Sequence, residues 1–270
     1  MQTESLQRAI GAIHVRFGGH SLVRAAHLPP ARPWPTGQPA VDGLSGIGGL
    51  PMGRVSVLQG AQGSGKLSLA LALLALATRE FARAVVLDPR RALDPWTLHE
   101  LGADLAALTV VRPPTPDAAG EAAVALARAG AGFLLALGTL PKAALASLES
   151  AAARSGCLAL AVAEAAGRPA GAAPAPAAEA TRALAHASSL TLQLEWRGWL
   201  RERGVLVGQR SRVSCVKNKL AAPGAEAGLE IRYPLAPGHL PGGPLLAAEP
   251  AAERDAEAAE ERWRERSAAG

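Results

Sequence analysis

A run of seven residues, Gly60-Ala61-Gln62-Gly63-Ser64-Gly65-Lys66, constrains this chain more than any other feature. It follows an apolar stretch, RVSVLQ from Arg54, and opens an Ala/Leu-rich stretch from Leu67 with helix-forming composition. Strand, G-x-x-x-x-G-K and helix in that order make a phosphate-binding loop. Gly60, Gly63 and Gly65 let backbone N–H groups turn inward towards an anion, the helix N-terminus adds its dipole, and Lys66 supplies a point charge. A hydrolytic loop of this kind follows its lysine with Ser or Thr, whose hydroxyl holds Mg²⁺. Here Leu67 offers no oxygen and Ser68 comes one residue late, which argues against metal-assisted hydrolysis.

The rest of the chain supplies a frame for that loop. Short apolar runs at RVSVLQ, RAVVLD from Arg83, LTVV from Leu108, GFLLAL from Gly132 and CLALAVA from Cys157 alternate with Ala/Leu-rich segments of helical composition. Such alternation predicts an α/β fold with a mainly parallel central sheet covered on both faces. LTLQLEW from Leu190, RVSCVKNK from Arg212 and LEIRY from Leu229 alternate apolar with polar, so the sheet is expected to close with antiparallel strands. SLQRAIGAIHVRFG from Ser5 reads as an N-terminal amphipathic helix, with Leu6, Ile10, Ile13 and Val15 near one face. Pro29 to Gly49 reads as a connecting segment, Ala165 to Ala178 as a loop, and Pro234 to Pro250 as a second linker. The expected organisation is therefore an N-terminal helix and linker over 1–45, a core over 46–234, and a linker with a Glu/Arg-rich tail over 235–270.

Composition narrows the function classes. The apolar stretch after the phosphate loop is too short to span a membrane, and MQTESLQRAIGAIHVRF lacks the layout of a secretory signal. No membrane partner and a cytoplasmic setting are expected. Cys157 and Cys215 sit in apolar runs outside any CxxC, as buried reduced thiols do, and the six histidines have no ligand spacing. The formal charge of +5, with a Glu253–Arg266 tail of net −2, leaves +7 on the body. That permits contact with nucleic acid without demanding it.

Several ordered segments together resemble the RecA family over about residues 6 to 233. GGLPMGR from Gly48 resembles the start of the RecA core, LDPRRALDPWTLHELGADLAALTVVRP from Leu87 its second-strand region, and VKNKLAAP from Val216 a segment near the end of the core. LQRAIGAIHVRFG from Leu6 resembles the helix through which RecA protomers dock. The resemblance implies a RecA-like phosphate-loop core, and it also exposes departures. Arg90 stands where RecA has the acid that activates water, and a cation cannot act as that base. Leu137 and Gly138 stand where an aspartate supports the metal shell. Val162 and Ala163 replace the Asn and Gln that report on the γ-phosphate. The connection between the runs at Leu137 and Cys157 is too short for RecA's first DNA loop, and the second loop offers only Arg168 as a cation.

Other residues carry two readings. Asp94 matches a position near the adenine in RecA, but Asp94-Pro95 before WTLHEL is also a helix N-cap followed by proline. Lys217 and Lys219 resemble the lysines that RecA projects across a filament interface, and equally read as solvated charges at a strand end. Trp263 in the mixed-charge tail reads as an anchor for a partner or as part of a solvated tail.

A RecA-like core without hydrolysis, DNA loops or the RecA C-terminal domain resembles the ImuA-type proteins of the bacterial translesion mutagenesis cassette, which act in the SOS response. That resemblance implies a pseudo-ATPase accessory that requires no cofactor and binds ATP or ADP weakly at most. The implied partners are RecA, an inactive Y-family polymerase homologue and an error-prone replicative-type polymerase, with weak or indirect DNA contact and a place at the nucleoid on DNA damage. Leu6, Ile10 and Ile13 are the expected RecA-docking stripe, which would restrain filaments. The alternatives are an ATP-dependent DNA recombinase and a regulator resembling SOS cell-division inhibitors.

Overall fold

In the computed structural model, residues 2–18, 31–138, 140–164, 176–233 and 246–248 are described. They fall into two units, one within Met1–Arg32 and one within Pro33–Gly270. Among the described residues, the first holds one helix, α1 (Gln2–Phe17). Because α1 runs unbroken through Phe17, Val15 sits about 180° around the axis from Leu6. The expected stripe thus keeps Leu6, Ile10 and Ile13 and loses Val15, which is 90% exposed.

The second unit is built on one nine-stranded sheet. Its parallel strands are β3 (Val55–Gly60), β4 (Ala84–Leu87), β5 (Leu108–Val111), β6 (Phe133–Leu137) and β7 (Leu158–Glu164). A long hairpin, β8 (Leu190–Glu202) and β9 (Val205–Asn218), then β10 (Glu226–Arg232) and β11 (Leu246–Ala248), extend it. The order is β11-β10-β9-β8-β3-β7-β6-β4-β5, with β8 parallel to β3 and the strands from β8 to β11 mutually antiparallel. This is the expected fold class, a mostly parallel α/β sheet closed by antiparallel strands.

Both faces of the sheet are covered, which is why its parallel strands read as continuous apolar runs. In β6, Phe133, Leu135 and Leu137 point into one core with Leu69, Leu73 and Leu74 of α3 (Lys66–Glu80) and Leu98 of α4 (Pro95–Glu100). Leu134 and Ala136 point the other way. They meet α5 (Pro116–Arg128), α6 (Lys142–Ser155) and α7 (Pro176–Ala187) through Ala123, Leu148 and Leu184. Cys157 and Cys215 are free and buried, and burial pushes the Cys157 thiol up to about 12, so it stays neutral.

Two sequence expectations need correction. The stretch read as a connecting segment instead folds into the core unit, so that unit starts at Pro33 rather than residue 46. It contains β1 (Pro33–Trp34), paired with β2 (Leu50–Pro51), and α2 (Pro39–Ser45), which buries Ala40, Val41 and Leu44. Trp34 packs on Phe81 and Phe133 at 5.5 Å between ring centroids and donates Nε1–H to Glu80 at 2.6 Å. Proline opens α2 and Gly46 ends it in the left-handed region at φ 70, so residues that suggested a linker serve as helix punctuation. The second correction concerns the C-terminal strands, which run through 197–210 as well. Arg203 and Gly204, at φ 49 and 83, form the two-residue turn that joins β8 to β9.

No helix among the described residues is long and apolar enough to cross a membrane. The loop cation Arg168 and the tail with Trp263 lie outside the described residues, and of the stretch read as a linker from 235 only Leu246–Ala248 is described, as strand β11 paired with β10 rather than as linker.

Candidate functional site

The phosphate loop rises from the end of β3 and is supported from beneath by the antiparallel strands. Gln209, buried on β9, donates its amide N–H to Gly63 O at 3.1 Å and to Ser211 Oγ at 2.9 Å. Ser211 Oγ donates to Ser64 O at 2.9 Å, and the Tyr233 hydroxyl donates to Gln209 Oε1 at 2.6 Å. Two loop carbonyls, Gly63 and Ser64, thus find partners on a strand far away in the sequence. The approach is close enough to require glycine. A Cβ at Gly65, which has φ +89, would overlap Ile231 Cδ1 and lie 2.7 Å from Gln209 Nε2. A Cβ at Gly60 would overlap Ser64 Oγ.

Above the loop lies a cleft of about 590 Å³ to which seven stretches of chain contribute, Leu184, Gln209 and Tyr233 among them. Gly63, Gly65, Lys66, Leu67 and Ser68 come from the loop and the start of α3. Arg90, Leu137 with Gly138, and Val162 with Ala163 come from the ends of β4, β6 and β7. The fold therefore gathers around one cleft every position that the sequence comparison singled out as altered. Gly60 ends β3 below the cleft and is not part of its lining.

Arg90 is presented by a turn that Asp88 builds. Asp88 is fully buried, and its two oxygens accept the N–H groups of Ala92 at 2.8 Å and Leu93 at 3.1 Å. Each of its oxygens is thus engaged by backbone. Arg90 itself is exposed and has no hydrogen-bond or ion-pair partner among the described residues. The carboxylate in the lining is Glu164, the last residue of β7, whose Oε1 lies 3.1 Å from Lys66 Nζ.

Asp94 lies away from this lining. Its side chain accepts from Trp96 N and Thr97 N at the start of α4, and the Thr97 hydroxyl adds a 2.7 Å bond. These bonds hold its carboxyl below the usual range, the Thr97 side chain contributing most. Of its two sequence readings, this is the helix cap. Lys217 and Lys219 also have local partners. Lys217 Nζ donates to Ala185 O and His186 O at 2.6 and 2.5 Å, and Lys219 Nζ donates to Ala187 O at 3.4 Å. Both ammonium groups therefore meet the C-terminal carbonyls of α7, where cations are favoured. Burial, then the neighbouring Lys219, lowers the Lys217 pKa from its ordinary value. Of the α1 stripe, Leu6 is 61% and Ile13 37% exposed, and Ile10 is half-buried.

Sequence reasoning missed Glu164, Gln209, Ser211 and Tyr233, because only strand register brings them to the loop. It also missed Trp196 and Trp199. These lie on the part of β8 that continues past the end of β3, both about half exposed, with ring centroids 5.6 Å apart. The available signal was two tryptophans three residues apart in a chain that is 3% aromatic.

Comparison with known proteins agrees with this geometry. The RecA N-terminal domain family model matches residues 4–149, more than half of the chain. The chain is 30% identical to Protein RecA of Brucella anthropi over 261 residues, covering 86% of this chain and 72% of that protein. It is 32% identical to Protein RecA of Amycolatopsis mediterranei over 258 residues, covering 85% and 74%. Among solved structures, the RadB recombinase superposes with a TM-score of 0.57 at 15% identity, over 80% of this chain and 99% of that one, a likeness of fold. With the family's strand, loop and helix order intact and its N-terminal domain model matched over more than half of the chain, this chain belongs to the RecA family.

Proposed function

We propose that this RecA-family chain is a non-catalytic accessory protein of the ImuA type. In this reading it acts in DNA-damage-induced translesion mutagenesis, binds RecA and restrains its filaments. The supporting observation is the cleft: Leu67, Arg90, Leu137 and Val162 line it at the positions where RecA carries the metal hydroxyl, the base, the metal-supporting aspartate and a γ-phosphate sensor. A Mg²⁺-bound nucleotide does not fit this lining. Leu67 has no oxygen, Asp88 is committed to backbone, and Glu164 is paired with Lys66. The loop itself suits the phosphates of ATP or ADP, held through backbone N–H groups and Lys66 without a metal.

Partner binding in this reading falls to α1, where Leu6, Ile10 and Ile13 present an apolar stripe suited to a groove on a RecA-type core. A chain that joins or caps a RecA filament without the switch residues cannot pass on the active state, so inhibition is the expected direction. The tail beyond residue 250 is assigned to the inactive Y-family polymerase homologue, and with it the error-prone replicative-type polymerase. Steady-state phosphate release with single-stranded DNA is the direct test. Background rates are expected with the chain alone, together with slowed RecA turnover when it is added. Robust turnover by the chain alone would instead indicate an ATP-dependent recombinase.

A further inference from the structure

The lysine of a phosphate loop serves an incoming anion only if its ammonium is available, and here it is engaged twice. Lys66 is largely buried, with a side chain 10% exposed. Its Nζ donates to Ala61 O at 2.9 Å, back across the loop, and lies 3.1 Å from Glu164 Oε1. An ammonium has three N–H donors, so one remains. The position of Glu164 follows from strand register. β7 pairs in parallel with β3, and the pair Gly60↔Glu164 sets the carboxylate level with the first residue of the loop. Glu164 lines the same cleft and its side chain is 66% exposed, so it can swing into solvent without disturbing the core.

We infer that Glu164 is an internal counter-anion that occupies the phosphate place of the loop, so that a nucleotide must displace the chain's own carboxylate from Lys66 before it binds. Two effects act together. Glu164 competes for the lysine, and its negative charge repels a phosphate entering the same cleft. Because Glu164 is mostly solvated, the pair is the weak kind, and anions dense in charge displace it most readily.

This inference rests on the reading of the cleft as a nucleotide site without hydrolytic chemistry, and the two fail separately. The experiment is calorimetric titration of the full chain with inorganic pyrophosphate and with ADP, in EDTA, for wild type, Glu164→Gln, Lys66→Ala and the double variant. Glu164→Gln is expected to tighten both ligands about three- to tenfold, from loss of a solvated ion pair and of the repulsion. Lys66→Ala should remove most binding, and the gain from Glu164→Gln should shrink in the double variant to the part that loss of repulsion supplies, since competition acts through that lysine. Circular dichroism and thermal melting establish that each variant is folded. Unchanged affinity in Glu164→Gln, no binding by it at millimolar ligand, or a gain that is undiminished without Lys66 would each overturn the inference. Phosphate release from ATP is assayed on the same protein preparations, with Mg²⁺ in place of EDTA. Turnover there breaks the non-catalytic reading and leaves the role of Glu164 standing, whereas unchanged affinity without turnover does the reverse.

Discussion

The floor of the phosphate loop and its rim differ sharply in how fully they are determined. Beneath the loop, Gln209 and Ser211 satisfy the carbonyls of Gly63 and Ser64, Tyr233 orients Gln209, and Ile231 fills the space that only a glycine at 65 leaves open. One polar atom of the region, Ser64 Oγ, is buried without a partner. Around the rim the cleft side chains include an exposed arginine, a 39% exposed leucine and a solvated glutamate that reaches back to the lysine. The floor is tied to the folding of the whole antiparallel extension. The rim is tied to little beyond itself. A chain can therefore change its rim chemistry while the loop shape persists, because that shape is stabilised by β9 and β10 and does not depend on a bound phosphate.

Substitutions on the two sides should separate accordingly. The largest effect is expected for Gly65→Ala, which combines a left-handed backbone with overlap on Ile231 and should lose about 2–5 kcal/mol in urea unfolding. Gly63→Ala has a similar φ, +79, but nothing within 4 Å of the added methyl, so about 1–2 kcal/mol is expected. Equal losses at the two glycines would show that Ile231 and Gln209 do not confine the loop. Gln209→Ala comes next. It removes the partner of the part-buried Gly63 carbonyl and Tyr233 hydroxyl and a buried bond to Ser211 Oγ, and about 1–2 kcal/mol should be lost. A Gln209→Ala protein as stable as wild type would mean that water replaces these bonds and that the floor is looser than described.

The same division explains what could be read from the sequence. Four of the five parallel strands are legible because burial on both faces makes them mostly apolar runs, the edge strand β5, with Thr109 and Val110 exposed, is legible from its β-branched residues, and the loop is legible because its glycines and lysine are contiguous. The departures read at Leu67, Arg90, Leu137 and Val162 rest on contiguous motifs, so a linear reading suffices to propose them. What links the ends of distant strands is not local. Glu164 meets Lys66 through the register of β7 on β3, and Lys217 meets α7 through the hairpin, although 32 positions separate it from Ala185. α2 was hidden for a different reason, since Pro39 and Gly46 punctuate a seven-residue helix and read as a linker when the apolar residues between them are few.

The α1 unit provides a comparison at larger scale. Its helix buries little of its own apolar surface, with Leu6 and Ile13 exposed, so removing residues 1–20 should leave the melting of the core within about 0.5 kcal/mol of wild type. The same truncation should abolish binding to RecA in a filament-capture assay and leave capture of the polymerase homologue intact. Retained RecA binding would move the docking surface onto the core unit, where the exposed pair Trp196 and Trp199 is the first place to mutate.

The smallest effect is expected where a family comparison would look first. Leu67→Thr restores a hydroxyl immediately after the loop lysine, at a position 39% exposed, and stability should change by no more than about 0.5 kcal/mol. Hydrolysis should not return. The introduced hydroxyl supplies one metal ligand, but Arg90 still stands in the place of the base, no carboxylate follows β6, and Glu164 still holds Lys66. Catalytic groups that act as a unit are strongly non-additive, so restoring one member of a missing set returns almost nothing. Phosphate release above background by Leu67→Thr alone would show that a base other than residue 90 serves the cleft. Adding Arg90→Glu to Leu67→Thr sharpens the question. If the pair turns over where the single variant does not, the rim had lost chemistry that the intact floor was still able to support.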